Sequence, residues 1–111
     1  MSEPSVFVVH EFSIRAADQA EIDAALAVIV SHIREAHPEV LSCQTYKQWV
    51  GPRGHRGYIW LEGFESLSAM DSGTTTPSCV EAWEPIYRLA QDGSVLRSVW
   101  LGTPDTLAMR R

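Results

Sequence analysis

Hydrophobic and polar residues alternate with two different periods along this 111-residue chain, and each period predicts one type of secondary structure. A period of two is typical of β-strands, whose successive side chains point to opposite faces of a sheet. The segments with this period are residues 6–15, 41–50, 57–64 and 94–102. The sequence therefore predicts four strands.

The first long segment with helical spacing follows the first strand. Asp18 and Glu21 have the spacing of a capping box, in which two side chains bond the free backbone N–H groups at a helix start. The helix should end near His37, because Pro38 disfavours helical backbone at the preceding residue. Its apolar stripe comprises Ile22, Ala25, Leu26, Ile29, Val30 and Ile33.

A short helix over 66–73 and a longer one over 77–93 are predicted between the last two strands. Gly93 is a typical helix stop. Pro85 lacks the backbone N–H that a helix interior needs, so we expect a kink or a fresh start near Glu84.

The main elements follow the order β-α-β-β-α-β, which predicts a ferredoxin-like α+β domain with four antiparallel strands and both helices on one sheet face. A single domain should occupy 1–111, with a core over about 5–102 and a tail over 103–111. The strands are apolar on both faces. A homodimer through the open sheet face is therefore expected.

Charge and composition narrow the classes of partner. The formal net charge is −5, and a nucleic-acid-binding protein normally carries a basic face. No segment has the roughly 20 consecutive apolar residues of a membrane span, and the N-terminus does not resemble an export signal. Two cysteines, Cys43 and Cys79, are too few for a disulfide framework. We therefore expect a cytoplasmic protein with reduced thiols and no nucleic-acid or membrane partner.

Element order, two-sided strands and the segment YIWLEGFESLSAM (58–70) resemble the dimeric α/β-barrel proteins. These comprise the antibiotic-biosynthesis-monooxygenase-like group and its stress-responsive and EthD-like relatives. The resemblance covers about residues 5–102. It implies a dimeric barrel, and activities that range from cofactor-free oxidation of polyketide-like aromatics to heme degradation, with many members of unknown activity.

The heme-degrading branch has an Asn in the first strand, a Trp at the end of the third and an iron-binding His in the second helix. The matching positions here hold His10 and Phe64, and that helix contains no His. The quinone-forming oxygenases place Asn, Trp, Tyr and Arg around their pocket. This chain offers Trp60, Tyr58, Tyr87 and Arg97 but contains no Asn.

His10 and Glu62 form the predicted catalytic pair. The topology makes the first and third strands neighbours, and a carboxylate beside an imidazole would orient it and raise its pKa. His10 would then act as the general base. The alternative is a buried His satisfied by one hydrogen bond and a Glu at a sheet edge in water.

Aromatic residues predict a pocket for a flat hydrophobic molecule between the sheet and the helices. The chain has four Trp, three Tyr and three Phe. The predicted substrate-binding residues are Tyr58, Trp60, Phe64, Trp83 and Tyr87, with Trp100 as a further pocket candidate. The alternative is that these side chains pack the core and the dimer interface.

No metal site is predicted. His32 and His37 are five residues apart, which places them on different helix faces, and they should be solvated. The segment GPRGHRG (51–57) is expected to be a solvated hairpin tip, with a cationic rim for an anionic ligand as the alternative.

The sequence thus predicts a small monooxygenase-like protein that needs no cofactor and acts on, or binds, a hydrophobic aromatic or polyketide-like molecule. His10 would take a proton from an acidic substrate, and the resulting carbanion would react with oxygen, rearrange or cyclise. The alternative is a non-enzymatic dimeric ligand-binding or stress-responsive protein.

Overall fold

A computed structural model describes residues 3–73, 77–109 and 111, without the side chains of 73, 77–79 and 105. The main elements are β1 (Val6–Arg15), α1 (Gln19–Ala36), β2 (Val40–Lys47), β3 (His55–Phe64), α2 (Leu67–Gly73), α3 (Pro77–Leu89) and β4 (Leu96–Leu101). The predicted β-α-β-β-α-β order is confirmed. Over the described residues, no helix is long and apolar enough to span a membrane.

The four strands form one antiparallel sheet in the order β2-β3-β1-β4. This makes β1 and β3 neighbours, as predicted, and places both in the centre of the sheet. Their register pairs His10 with Trp60, and the register of β1 with β4 pairs His10 with Arg97. Directly opposed residues share a sheet face, so these three side chains lie on the same side.

The hydrophobic core lies between one sheet face and the helices. Ile22, Leu26, Ile29 and Ile33 of α1 are buried against strand residues such as Ile14. Fully burying such a side chain contributes about 1.5–3 kcal/mol. A second, smaller cluster packs under α2 and comprises Val6, Val8, Phe64 and Met70.

The start of α1 differs from its prediction. Asp18 makes no capping hydrogen bond to the backbone. Its carboxylate instead accepts a hydrogen bond from the Arg15 side chain, at 3.2 Å between Nε and Oδ2. The predicted capping box is therefore wrong, because the Asp18 side chain instead forms a salt bridge with Arg15 at the end of β1.

The hairpin between β2 and β3 is also shifted from its prediction. β2 ends at Lys47 rather than at 50, and β3 begins at His55 rather than at 57. Gly54 supplies the positive φ of 81° that the turn requires. The Gln48 N–H still donates to the carbonyl of Gly57, at 2.8 Å. Trp49, beside this turn, is 93% exposed.

Pro85 does not interrupt α3, which continues through it to Leu89. The predicted end at Gly93 is four residues late. Asp92 and Gly93 have φ values of 57° and 62°, and this left-handed pair turns the chain towards β4.

The sheet face that points away from the helices carries large apolar side chains, which we call the open face. Its described apolar residues are Phe7, Val9, Tyr46, Ile59, Leu61, Leu96 and Trp100. No element of the described chain covers this face. Contiguous apolar surfaces of this kind are typical of interaction sites.

Candidate functional site

One row of side chains crosses the helix side of the sheet through His10. In order from β2 to β4 it contains Thr45, Trp60, His10 and Arg97. Trp60 is fully buried, whereas Arg97 on the edge strand is exposed. His10 therefore lies at the boundary between the core and the solvent.

Three aromatic rings form a wall beside His10. The His10 ring lies 4.6 Å from the ring of Trp83 on α3, measured between centroids. Trp83 meets Trp60 edge to face at 5.5 Å, and Tyr87 lies 6.3 Å from Trp83 at the exposed end. We call Trp60, Trp83 and Tyr87 the aromatic wall. All three belong to the predicted substrate-binding set.

The environment of His10 favours a neutral imidazole. Burial lowers its pKa from 6.5 to about 4, and the positive charge of Arg97 adds to this shift. The Nδ1 atom is buried and has no hydrogen-bond partner among the described residues. The predicted rise in the pKa of His10 is therefore wrong, since burial and the positive charge of Arg97 both lower it.

Glu62 lies one row away from His10, opposite Val8. Its Oε1 atom accepts a hydrogen bond from the indole Nε1–H of Trp60, at 2.7 Å. The side chain is only 5% exposed, and this burial raises the pKa of its carboxyl group above the usual range. Glu62 thus supports the aromatic wall directly.

The helix side of β4 is open to solvent. Val99 is 41% exposed and Leu101 63%, although their partners on β1, Val8 and Val6, are both buried. Together with the exposed Arg97, these side chains mark an opening beside His10 at the edge of the sheet.

Two of the predicted substrate-binding residues lie away from this opening. Tyr58 stacks on Phe12 at 5.3 Å and donates its hydroxyl hydrogen to Asp23 at 2.8 Å. Burial, followed by Asp23, raises the Tyr58 pKa. Phe64 is buried in the second core cluster with Met70.

Trp100 lies on the open face, across from Phe7. Its indole N–H donates to the Ser98 hydroxyl at 2.8 Å. It therefore does not line the site at His10.

The sequence interpretation of His37 is wrong, because this side chain is buried rather than solvated. It is 6% exposed, and its Nδ1 atom lies 2.7 Å from Oε1 of Glu39. His37 follows the last residue of α1 with non-helical backbone angles, so helical spacing no longer sets its direction. Its ring can therefore approach that of His32, at 5.2 Å. In the sequence, the feature that could have indicated this pairing is Glu39, two residues after His37.

The two cysteines lie in different elements, Cys43 on β2 and Cys79 on α3. Cys43 is half-buried on β2 opposite Glu62, and burial followed by the Glu62 charge raises its pKa to about 12. It is a free thiol. The side chain of Cys79 lies outside the described residues.

No protein-family model and no curated protein matches the sequence. Solved structures do match. A candidate antibiotic biosynthesis monooxygenase from Deinococcus radiodurans has a TM-score of 0.73 at 18% identity, over 96% of this chain and 97% of its own. A variant of a cofactor-independent oxygenase from Streptomyces nogalater has a TM-score of 0.69 at 12% identity, over 92% and 96%. A conserved protein from Methanosarcina mazei Go1 has a TM-score of 0.74 at 10% identity, over 90% and 94%.

This chain has the antibiotic biosynthesis monooxygenase fold. The fold predicted from the order of its elements is therefore confirmed. At these low identities the likeness extends to the fold and not to the activity.

Two further observations concern other places where a metal ion or a ligand could bind. Among the described residues, no three His, Cys, Asp or Glu side chains are grouped so that they could hold a metal ion. A concave region of about 590 Å³ lies across the hairpin end of the sheet and is lined by Glu11, Tyr46, Ile59 and Leu96 among others. Its lining does not include the residues around His10, so we do not assign it to the site.

The pKa of His10 predicts a specific loss of stability in acid. Above pH 6.5 the imidazole is neutral in both states, but between pH 6.5 and about 4 the unfolded chain binds a proton that the folded chain does not. Stability is therefore lost as the pH falls through this window, by about 3 kcal/mol in total. Urea unfolding of the wild type and of His10→Gln at pH 7 and pH 4.5 measures this difference. An identical pH dependence in both proteins would contradict it.

Proposed function

We propose that this protein is a cofactor-independent oxygenase that acts on an acidic, flat aromatic molecule at the site beside His10. The observation that carries the proposal is the row on the helix side of the sheet: a neutral imidazole lies between a buried tryptophan and an exposed arginine. A cofactor-independent oxygenase among the proteins with this fold supports it.

The aromatic wall fits the substrate class. The exposed half of Tyr87 and the Trp83 ring beside His10 offer an apolar surface to a planar ring system. Contacts between aromatic rings are most favourable in offset-stacked or edge-to-face geometry. A substrate seated here would enter at the open edge of β4.

Proton transfer to His10 would begin the reaction. The neutral imidazole takes a proton from an acidic C–H of the substrate and leaves a carbanion delocalised over the ring and its carbonyl oxygen. Molecular oxygen adds to this carbanion, and the resulting peroxide anion takes the proton back from the His10 imidazolium to form a hydroperoxide. Loss of one water then gives the quinone, so each turnover consumes one O2, releases one water and needs no outside electron donor.

Arg97 would stabilise the developing negative charge. Arg97 is paired with His10 in the sheet, and its positive charge lowers the pKa of the imidazole. The positive charges of Arg97 and of a protonated imidazole repel each other. A negatively charged enolate oxygen bonded to Arg97 would offset this repulsion, so the imidazole binds the proton more strongly when the carbanion forms. The two groups then act together on the same charge.

Anthrone provides a direct test, because the CH2 group between its two rings is acidic and its oxidation product is anthraquinone. We expect the protein to accelerate oxygen consumption and anthraquinone formation in metal-free buffer with a chelator. An oxygen electrode and the product absorbance measure both. A rate equal to that of buffer, with anthrone bound to the protein, would overturn the enzymatic proposal.

That same result would favour the second function, a non-enzymatic ligand-binding protein. One observation supports this alternative: Glu62 bonds to Trp60 rather than to His10, so the carboxylate contributes to the wall and not to the base. Tryptophan fluorescence quenching by anthrone measures binding independently of turnover.

We also propose that the protein is a homodimer joined through the open face. Strands β1 and β3 carry apolar residues on both sides, and the helices cover only one of them. Two copies packed face to face by a two-fold axis would bury the same patch on each. The concave region beside Ile59 would then lie at the interface.

The open face predicts a clear effect of a charge at its centre. Ile59→Asp would place a carboxylate where two apolar surfaces meet, and we expect it to weaken dimerisation at least about 100-fold. Sedimentation velocity over a concentration series measures this change. Val28→Asp is the matched control, since Val28 is an exposed apolar residue on α1. A wild-type monomer, or equal effects of both substitutions, would contradict the proposal.

A further inference from the structure

The sheet lacks one corner at its hairpin end. β1 continues to Arg15, whereas β4 begins only at Leu96, which is paired with Glu11. Among the described residues, no strand therefore pairs with residues 12–15 of β1 on the β4 side. The concave region of about 590 Å³ extends into this corner, since Leu96 and Asp92 belong to its lining. We call this region the hollow.

The hollow combines apolar walls with two carboxylates. Tyr46, Ile59 and Leu96 line it and are between 40% and 61% exposed. Glu11 and Asp92 line it as well, and neither carboxylate has an ion-pair or hydrogen-bond partner within the described part of the chain. A surface that covered the hollow would bury both charges at a large cost in free energy unless it supplied a cation.

The β2–β3 hairpin projects beyond the last paired residues of the sheet at the opposite edge of the same end. Its tip, residues 50–54, carries the exposed side chains of Val50 and Arg53. The Arg53 guanidinium forms no ion pair with any described residue. The backbone of the tip is held to the end of β1, because the Ala16 N–H donates to the Gly54 carbonyl at 2.8 Å. A segment ordered in advance loses little entropy on binding.

Two-fold symmetry can bring the tip and the hollow together. An axis that runs along the strands, between two sheets packed face to face, keeps the ends of each sheet and exchanges its edges. The strand order β2-β3-β1-β4 places the hairpin at one edge and the short β4 at the other. The projecting tip of each copy then faces the missing corner of its partner, and the contact is made twice. Stacked sheets lie about 10 Å apart, a gap that an arginine and a glutamate side chain can span together.

We propose that the tip of each copy docks into the hollow of a second copy, where Arg53 pairs with Glu11 and Asp92 of the partner subunit. This arrangement rests on the proposed homodimer and specifies how its two copies meet. Val50 adds an apolar contact to the walls of the hollow. An axis across the strands would instead place each tip at the far end of the partner's sheet and leave the hollow without this cation.

Charge reversal at the tip tests the proposed contact. Arg53→Glu would place a carboxylate beside those of Glu11 and Asp92, and like charges across an interface repel. We expect this substitution to raise the dissociation constant of the dimer at least about tenfold. Glu11→Arg should weaken the dimer in the same direction, because it would face Arg53. Both positions are exposed, so the fold should be retained. Sedimentation velocity over a concentration series measures the constants.

A mixture of the two variants tests whether the contact joins two copies. In a mixed dimer of Arg53→Glu with Glu11→Arg, both contacts again bring opposite charges together. We expect this mixed dimer to form with an affinity within about threefold of wild type, although each variant alone dissociates. Mixing would not restore a contact between a tip and the hollow of its own copy. Native mass spectrometry distinguishes the mixed dimer from the two homodimers, because their masses differ.

Arg34→Glu is the matched control. It makes the same change in net charge at an exposed arginine of α1, and it should leave the dissociation constant within about twofold of wild type. Equal effects of Arg34→Glu and Arg53→Glu, or a mixture that stays monomeric, would overturn the docking of the tip, while a wild-type dimer would still support the homodimer. A wild-type monomer would overturn both. Since anthrone is absent, failure here is distinguishable from failure of the oxygenase assay.

Discussion

His10→Gln is expected to lower kcat for anthrone oxidation by about 100- to 10,000-fold, the usual contribution of a general base. Glutamine keeps a polar side chain of similar length but cannot accept the proton. Arg97 and the aromatic wall remain in place, so the KM should change much less than kcat. Steady-state oxygen consumption over a range of anthrone concentrations separates the two constants.

His55→Gln is the matched control for this experiment. His55 lies at the start of β3 beside the hairpin, at the other end of that strand from Glu62, so its replacement should leave kcat within about twofold of wild type. The pH profile gives a second check. The imidazole pKa near 4 predicts that activity persists well below pH 6 in the wild type. A His10→Gln variant with wild-type kcat would remove His10 from the mechanism.

Trp60→Ala is expected to lower the free energy of unfolding in two ways, of which the loss of a large buried aromatic side chain costs about 3–5 kcal/mol. Trp60 is fully buried in the main core cluster and meets Trp83 edge to face. Its removal would also leave the Glu62 carboxylate without its donor, which costs about 1–3 kcal/mol for a buried polar group. Urea unfolding followed by circular dichroism measures the sum.

A pair of variants separates these two effects. Trp60→Phe keeps most of the ring but loses the N–H donor, so its cost should come mainly from the unpaired carboxylate. Adding Glu62→Leu removes the other partner and should recover most of that loss, because a buried hydrogen bond can be replaced by apolar groups at little net cost.

Trp49→Ala is the control that removes a tryptophan without removing a buried side chain. This side chain is 93% exposed, so the change should stay within about 0.5 kcal/mol. A Trp60→Phe/Glu62→Leu protein no more stable than Trp60→Phe would contradict the role of the indole–carboxylate bond.

Much of the fold follows from periodicity, because the strands and helices here bury faces of fixed spacing. Alternation puts Trp60 and Glu62 on one face of β3, and they share a side with His10 if both strands turn these faces to the helices. Alternation does not specify register, however, and a shift by two residues preserves every face. The structure pairs His10 with Trp60, so Glu62 falls one row away and bonds to the indole instead.

Side chains outside regular elements were harder to predict. His37 lies one residue beyond α1, where helical spacing no longer gives the direction of a side chain. The environment of His10 depends on Arg97, which is distant in sequence and adjacent only through the β1–β4 pairing. The sign of a pKa shift follows from such neighbours and from burial, neither of which a single sequence gives.

The opening beside His10 lies at the β4 edge on the helix side, whereas the apolar patch lies on the opposite side of the sheet. In the proposed dimer each entrance would therefore point away from the partner, and neither occupied site would touch the other. Ligand binding should then follow a simple hyperbola with a Hill coefficient of about 1, as for two independent sites.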